Sequence, residues 1–397
     1  MAVLGDYIKV KHGYAFKGEF FSTDDNGVVL ITPGNFAIGG GFKQDKCKFF
    51  TSLFPRDYVL HEDDLIVTMT DLSKNIDTLG YSALIPNSNR IYLHNQRIGL
   101  VQFLSDKLDK HYLYWFMRTK FYQKTIVGTS SGSTVHHTSP DRICAVEINP
   151  PDIVEQIKIA NILDNIENKI ANNHKINKNL EQQAQAYFDE LFVVNADPNW
   201  SECTLSDIGS VVAGGTPSKS KPEYYADQGI AWITPKDLSI NKSKFISHGE
   251  NDISELGFSK SSAAKMPAGT ILFSSRAPIG YIAIAQNEVT TNQGFKSVIP
   301  NENIGTAYLY FLLKNLLPTI EGIASGSTFK EISGSAMKSV PTVMPDADTI
   351  QLFSSFCEPV FKEQEILEAE NQRLSALRNS LLPKLMSGEL DVSDIDL

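Results

Sequence analysis

Four cysteines in 397 residues, Cys47, Cys144, Cys203 and Cys357, stand far apart, with no CxxC pair and no histidine at ligand spacing. That scatter indicates neither a disulfide framework nor a zinc site. No stretch reaches the roughly 18 uninterrupted apolar residues that a transmembrane helix needs. The opening MAVLGDYIKVKHGYAF lacks the apolar run and cleavage pattern of a signal peptide. A cytosolic, cytoplasmic chain without a membrane partner is expected. Excess positive charge is lacking too, since the formal net charge is −10. Split along the chain, however, residues 1 to 150 carry +1, 151 to 194 carry −3, 195 to 344 carry −1 and 345 to 397 carry −7. The acidity sits mostly outside the two large segments, so each can still present a basic face. What the balance argues against is tight nonspecific binding to nucleic acid, whose phosphate term grows with the positive charge brought to the backbone.

The most organised stretch runs from Pro151 to Val193. Alternating steps of three and four select Leu163, Ile166, Ile170, Asn173, Asn177, Leu180, Ala184, Tyr187 and Leu191, an apolar seam interrupted by two asparagines. A helix from Asp152 to Phe192 would be on the order of 60 Å long, and one of that length needs a partner. The same spacing returns at Val360, Gln364, Leu367, Asn371, Leu374, Arg378, Leu381 and Leu385. Facing asparagines cost stability but fix register; the alternative is that they are simply solvated.

The rest of the chain is a long-period duplication. ITPGNF from Ile31 is answered by ITPKDL from Ile233, NQRIGLV from Asn95 by NQGFKSV from Asn292, and YLYWFM from Tyr112 by YLYFLL from Tyr308; SGST occurs at Ser131 and again at Ser325. Offsets drift from 202 to 194 in unbroken order, as a duplicated unit with loop insertions requires. Within each copy, GVVLITP, DDLIVTM, GTILFSS and YIAIAQ read as strands. Lys110 to Thr125 and Gly305 to Leu317 read as helices whose aromatic-aliphatic stripe belongs to a core. The expected class is α+β: two mixed α/β domains, residues 1–150 and 195–344, each followed by a long helix, residues 151–194 and 345–397. A polar turn around Pro198 separates the copies.

Four patterns mimic active sites. Asn149-Pro150-Pro151-Asp152 approaches the motif with which adenine methyltransferases hold a flipped base, but aspartate stands where the stacking aromatic belongs, and two prolines before a helix already explain the string. Pro140-Asp141 with Glu147 and Asn149 lacks the lysine of a nuclease metal motif. His136 and His137, adjacent in an extended loop, point opposite ways, which disfavours joint metal binding. Gly214 to Ser220 lacks the glycine that precedes lysine in a phosphate-cradling loop. None of these supports an enzyme, and no metal site is expected.

Other residues suit DNA. Ser131, Gly132, Ser133 and Thr134, then Ser325, Gly326, Ser327 and Thr328, form small hydroxyl-rich loops that can approach phosphates or base edges closely. His136 follows the first and Lys330 the second. Ser274, Ser275 and Arg276 place a fork-shaped donor beside small residues, the chemistry that reads guanine. Arg276 is the sole arginine between residues 195 and 344. Thr32 and Asn35, with Thr234 and Lys236, occupy the repeated ITP strings and join the expected contacts. The plain alternative for each loop is a solvated turn.

The chain resembles the specificity subunit of type I DNA restriction-modification systems. The resemblance rests on GGTPSKSKPEYYADQGIAWITPKDL from Gly214, SSRAPIGYIAIA from Ser274, NQGFKSV from Asn292 and RNSLLPKLMSGEL from Arg378, while the first half shows the same plan without a GGTP counterpart. It implies two target-recognition domains separated by two long antiparallel coiled-coil helices, each reading half of a split, asymmetric site on double-stranded DNA. It implies no catalytic centre and no cofactor in this chain. Methyltransferase subunits, usually two, would dock on the helices and carry S-adenosylmethionine, and restriction subunits using ATP can join them. On that plan the helices are a ruler, and a heptad added to both would lengthen the gap by roughly 10 Å, or about 3 base pairs. Two rival classes remain: a coiled-coil scaffold that does not touch DNA, and a self-contained adenine methyltransferase, which the missing cofactor loop opposes.

Overall fold

The computed structural model describes residues 2–45, 47–73, 75–276, 278–326 and 330–393. By proximity the chain forms two compact units, Met1–Ile170 with Arg373–Leu397, and Ala171–Gln372.

In unit 1 a four-stranded antiparallel sheet runs in the order Ile8–His12, Ile98–Phe103, Leu65–Thr68, Ser82–Leu84. Because side chains alternate across a strand, Leu65 and Val67 pack with Tyr112, Trp115 and Tyr122 on one face. Ile66 turns to the other face, with Val29, Ile31, Phe49 and Tyr92. Val29, Phe49 and Tyr92 come from a second sheet in which Val28–Leu30 and Ile91–Leu93 lie parallel, and Ile31 directly follows its strand. One strand thus separates two cores, which is why Leu65, Ile66 and Val67 are apolar in succession.

Unit 2 repeats the arrangement. Gly209–Ala213, Lys296–Pro300, Ile271–Ser275 and Ile279–Ala285 follow one another in the sheet, with Phe245–Ile246 added at the edge. Ile271 and Phe273 face Tyr308, Phe311 and Phe353, while Leu272 faces Ala231, Ile233 and Ile246. Each unit is tied off alike. Ala2–Val3 pairs with Glu147–Ile148, and Ser201–Thr204 pairs with Pro341–Met344, just before a long helix.

Those helices run from Ile153 to Asp189, followed by one π turn from Glu190 to Val194, and from Ala347 to Ser387. Both start at an aspartate: Asp152 Oδ1 accepts from Val154 N and Glu155 N, and Asp346 Oδ1 from Thr349 N at 2.8 Å. Segments of the two lie antiparallel in each unit. In unit 1, Leu163 is buried with Leu385 and Val392, and Ile166, Ile170, Leu374 and Leu381 are buried or half-buried. Arg378 Nη1 donates to Glu167 Oε2 at 2.6 Å. In unit 2, Asn173 and Asn371 are buried, and Asn173 Nδ2 donates to Asn371 Oδ1 at 2.9 Å. Asn177 is half-buried, and its main-chain oxygen, not its amide, accepts from Gln364 Nε2 at 3.1 Å. Leu180 and Leu367 flank this polar step.

The helix expected over Lys110 to Thr125 is two, Lys110–Phe116 and Lys120–Gly128. Thr119 causes the break: its hydroxyl donates to Phe116 O at 2.8 Å and accepts from Tyr122 N at 3.2 Å, ending one helix and capping the next. The buried stripe of Tyr112, Leu113, Trp115 and Phe116 is core, as is that of Tyr308, Leu309, Phe311 and Leu312.

Asp164 anchors the first of these helices in unit 1, accepting from His111 Nδ1 at 2.6 Å and Trp115 Nε1 at 2.7 Å. The hydrogen bond to Asp164 raises the His111 pKa above its usual 6.5, although burial opposes it. A raised folded-state pKa contributes stability that is fully present below about pH 6.5 and is lost as pH rises through the folded value. Melting temperature is therefore expected to fall from pH 6 to pH 8, and His111→Gln should flatten that dependence; equal slopes would remove His111 from the account.

Candidate nucleic-acid interface

The two SGST loops sit in the same main-chain frame. In unit 1, Ser131 and His137 exchange N–H···O bonds of 3.0 and 2.8 Å, Thr138 N donates to Met69 O, and Met69 N donates to Arg97 O. In unit 2, Ser325 and Glu331 exchange bonds of 3.1 and 2.9 Å, Ile332 N donates to Ser275 O, and Ser275 N donates to Gly294 O. Glycine follows the first serine in both, at φ +103° for Gly132 and +135° for Gly326, a region that favours glycine. Ser139 and Ser333 then cap the next helices, accepting from Arg142 N and Ala336 N. Bond by bond, Thr70 corresponds to Arg276, His137 to Glu331, Arg97 to Gly294 and Arg142 to Ala336.

Side chains on this frame differ. In unit 1, Thr70 Oγ1 and His137 Nδ1 share a hydrogen bond of 3.1 Å, and Arg142 Nη1 donates to Ser131 Oγ at 3.2 Å and His137 O at 3.3 Å. Behind them Asp71, 1% exposed, accepts from Ser73 N, Thr78 N, Thr78 Oγ1 and Leu79 N. Burial pushes its pKa up, but these hydrogen bonds outweigh burial and hold it below 3.8, so a fixed anion organises the turn. In unit 2, Arg276 Nη1 lies 3.7 Å from Glu331 Oε2, and Lys296 Nζ lies 3.7 Å from Glu331 Oε1. The Arg276 side chain is 40% exposed, enough for both an anchor and a free edge.

The sequence-derived residues divide on this geometry. Ser131, Gly132, Ser133, Thr134, Ser325, Gly326 and Lys330 are exposed on the loops, and Lys330 Nζ reaches Glu321 O at 3.4 Å. Ser327 and Thr328 lie outside the described residues. Ser274 and Ser275, expected at the surface, are fully buried. Ser274 Oγ donates to Pro278 O and accepts from Tyr281 N, and Ser275 Oγ donates to Gly294 O, so both hydroxyls satisfy main chain. His136 is half-buried and pairs with Asp71, with Nδ1 enclosed; His137 is the exposed imidazole.

The ITP strings are capping devices. Asn35, 1% exposed, accepts Thr32 N at 2.9 Å and donates to Lys43 O. Asp237 accepts Thr234 N at 2.7 Å and Thr234 Oγ1 at 2.6 Å. Lys236 is exposed but paired with Glu250 at 2.5 Å. Among the described residues none of these bonds to the loop frame. Sequence reasoning names His137 only beside His136 and does not name Thr70, Arg97, Arg142, Lys296 or Glu331, which the frame brings to the loops. Extending the offset of 194 past SGST would have laid His137 on Glu331.

No three His, Cys, Asp or Glu residues gather as a metal set among the described residues. Nor is any described helix long and apolar enough to cross a membrane.

A family model for the type I restriction modification DNA specificity domain matches residues 3–182 and again 198–376. The chain is 40% identical over 190 residues to the type I restriction enzyme MjaIX specificity subunit of Methanocaldococcus jannaschii, covering 46% of this chain and 44% of that protein. It is 25% identical over 396 residues to the HindI specificity subunit of Haemophilus influenzae, covering 81% and 82%. It thus spans less than half of the first relative and most of the second. The crystal structure of a type I restriction-modification S subunit from M. genitalium shares the fold, with TM-score 0.62 and 17% identity over 97% of this chain and 95% of that one. With the family model covering both copies, the chain belongs to the type I restriction-modification DNA specificity family.

Proposed function

We propose that this chain is the DNA-reading subunit of a type I restriction-modification enzyme and carries no chemistry of its own. The observation that carries the reading is the duplicated frame, one in each unit, which presents an exposed polar loop beside a guanidinium or an imidazole. Residues 1–150 and 195–344 would each read half of a split, asymmetric site on double-stranded DNA. Residues 151–194 and 345–397 would set the gap and dock methyltransferase subunits, two in the complete complex. S-adenosylmethionine would bind those subunits, and ATP would serve restriction subunits that join them in the cytoplasm. Loop residues Ser131, Ser133, Thr134, Ser325 and Lys330 suit phosphates, while Arg276 suits a base edge.

The test is to assemble the chain with its methyltransferase subunit and map methylated adenines over random DNA. A single split motif with a fixed gap is expected, and exchange of residues 195–344 for those of a relative should change only one half. A palindromic or continuous motif would defeat the two-reader reading, and an intact, cofactor-binding complex that methylates nothing would defeat DNA reading altogether. Arg276→Ala is expected to cost about 1–3 kcal/mol, concentrated at one base position. A uniform loss across sequences would move Arg276 to a phosphate.

A further inference from the structure

The two frames share main-chain bonds but exchange the identity of the side chain that faces outward. In unit 2 the sheet strand supplies the reader: Arg276 extends from the end of Ile271–Ser275, and Glu331, directly opposite across the bridge, stands 3.7 Å from its guanidinium. In unit 1 the same sheet position is Thr70, which is 3% exposed and cannot reach outward. Its hydroxyl instead meets Nδ1 of His137, the residue directly opposite, at 3.1 Å.

A hydrogen bond at Nδ1 fixes the ring's orientation and leaves Nε2 as the one nitrogen free to meet a ligand. Fixed charge moves as well. The guanidinium at position 276 of unit 2 has no counterpart at Thr70, but Arg142 in unit 1, where unit 2 has Ala336, donates to Ser131 and to the His137 carbonyl. Arg142 thus ties the ends of the loop strand, whereas in unit 2 Glu331, on that strand, meets the sheet strand's arginine.

We propose that His137 is the base-reading residue of unit 1, that Thr70 is its positioning residue, and that Glu331 is the positioning residue of Arg276 in unit 2. The inference rests on the DNA-reading proposal above. Each frame then has one reader and one brace, with the roles on opposite strands. An imidazole with one free nitrogen makes a single hydrogen bond to a base edge, while a braced guanidinium makes two, to guanine O6 and N7. The two half-sites are accordingly read with unequal stringency at these positions.

The experiment uses the full chain in its methyltransferase complex, with methylation mapped over random DNA. His137→Gln, which keeps a polar side chain of similar length, is expected to reduce discrimination at one base pair of one half-site by roughly 2- to 10-fold, the worth of one hydrogen bond. Thr70→Val should relax that same base pair, and Thr70→Ser should restore it, which a packing role would not do. Glu331→Gln should relax the base pair affected by Arg276→Ala, in the other half-site. Melting curves of each variant separate these effects from misfolding. An unchanged motif from His137→Gln, or a loss spread evenly over all sequences, overturns the assignment while leaving the DNA-reading proposal standing. Absence of any sequence-dependent methylation by the wild-type complex overturns both.

Discussion

Glu181→Ala is expected to destabilise unit 2 by about 3–5 kcal/mol, because it leaves a buried ammonium without its counter-charge. Glu181 projects from the central helix, and its carboxylate pairs with Lys244 Nζ and accepts from Lys314 Nζ at 2.6 Å. Lys244 is 8% exposed, lies 4.0 Å over the Phe361 ring, and donates to Gln364 Oε1 at 2.7 Å. Burial opposes the charge on Glu181, yet the two lysines outweigh it and hold the pKa below 4.5. Burial also pushes Lys244 down, and there Glu181 does not fully compensate. Each charge is thus buried and depends on the other. That dependence separates two experiments. Removing Glu181 alone is severe, whereas Glu181→Leu with Lys244→Met should cost little, since Lys314 is 30% exposed and stays hydrated. Denaturant unfolding of both variants decides it, and a single variant no worse than the double would show that Lys244 finds another acceptor. The pH dependence has a definite sign: the depressed carboxylate contributes stability above about pH 4.5 that is lost as pH falls through its lower folded value.

Gly13→Ala and Gly214→Ala are each expected to cost about 3 kcal/mol, the upper end for overpacking against a backbone that cannot yield. A Cβ on Gly13 would come 2.1 Å from Asn95 O, and one on Gly214 would come 2.0 Å from Asn292 O. Two residues beyond these asparagines stand Arg97 and Gly294, whose carbonyls receive the hydrogen bonds of Met69 and Ser275 in the loop frames. Crowding at either glycine thus reaches the proposed reader through two short links. Gly18→Ala, where open space surrounds the added methyl, is the control. Thermal melting that leaves Gly214→Ala level with Gly18→Ala would show that the strand shifts freely.

Gly13 also shows where sequence reading loses resolution. The first half has no GGTP string because Tyr14 stands where the second has Gly215, yet Tyr14 N and Gly215 N donate to the equivalent carbonyls of His94 and Thr291. The glycine against the asparagine carbonyl is compelled in both halves, whereas Gly215 is compelled by a contact of unit 2, where an added Cβ would come 2.3 Å from Ser262 C and Ala263 N. The helix seams were legible because three-four spacing is a local property of any helix that buries one side. The order of the duplicated strings was legible for a similar reason, since both sheets demand the same apolar alternation. A repeated polar string such as Thr32 with Asn35, or Thr234, can equally reflect a cap that the fold needs twice, and Ser274 and Ser275, beside Arg276, are buried hydroxyls that satisfy main chain. Which of His136 and His137 faces solvent is set by pairing with Thr70 and Asp71, more than sixty residues away in sequence. Nothing local to the histidines encodes that.

Unit 1 opens the chain but is closed by its last described residues, because Leu385 and Val392 share a core with Leu4, Ile8 and Leu163. Unit 2 is one continuous run, Ala171–Gln372. During synthesis, therefore, the segment that emerges first is finished second. At 5–20 residues per second, the roughly 200 residues between Ile170 and Arg373 hold the nascent first unit open for about 10–40 s, its apolar face uncovered while the second folds. Dependence on chaperones should accordingly track the arrival of the final helix, not the length of either recognition segment.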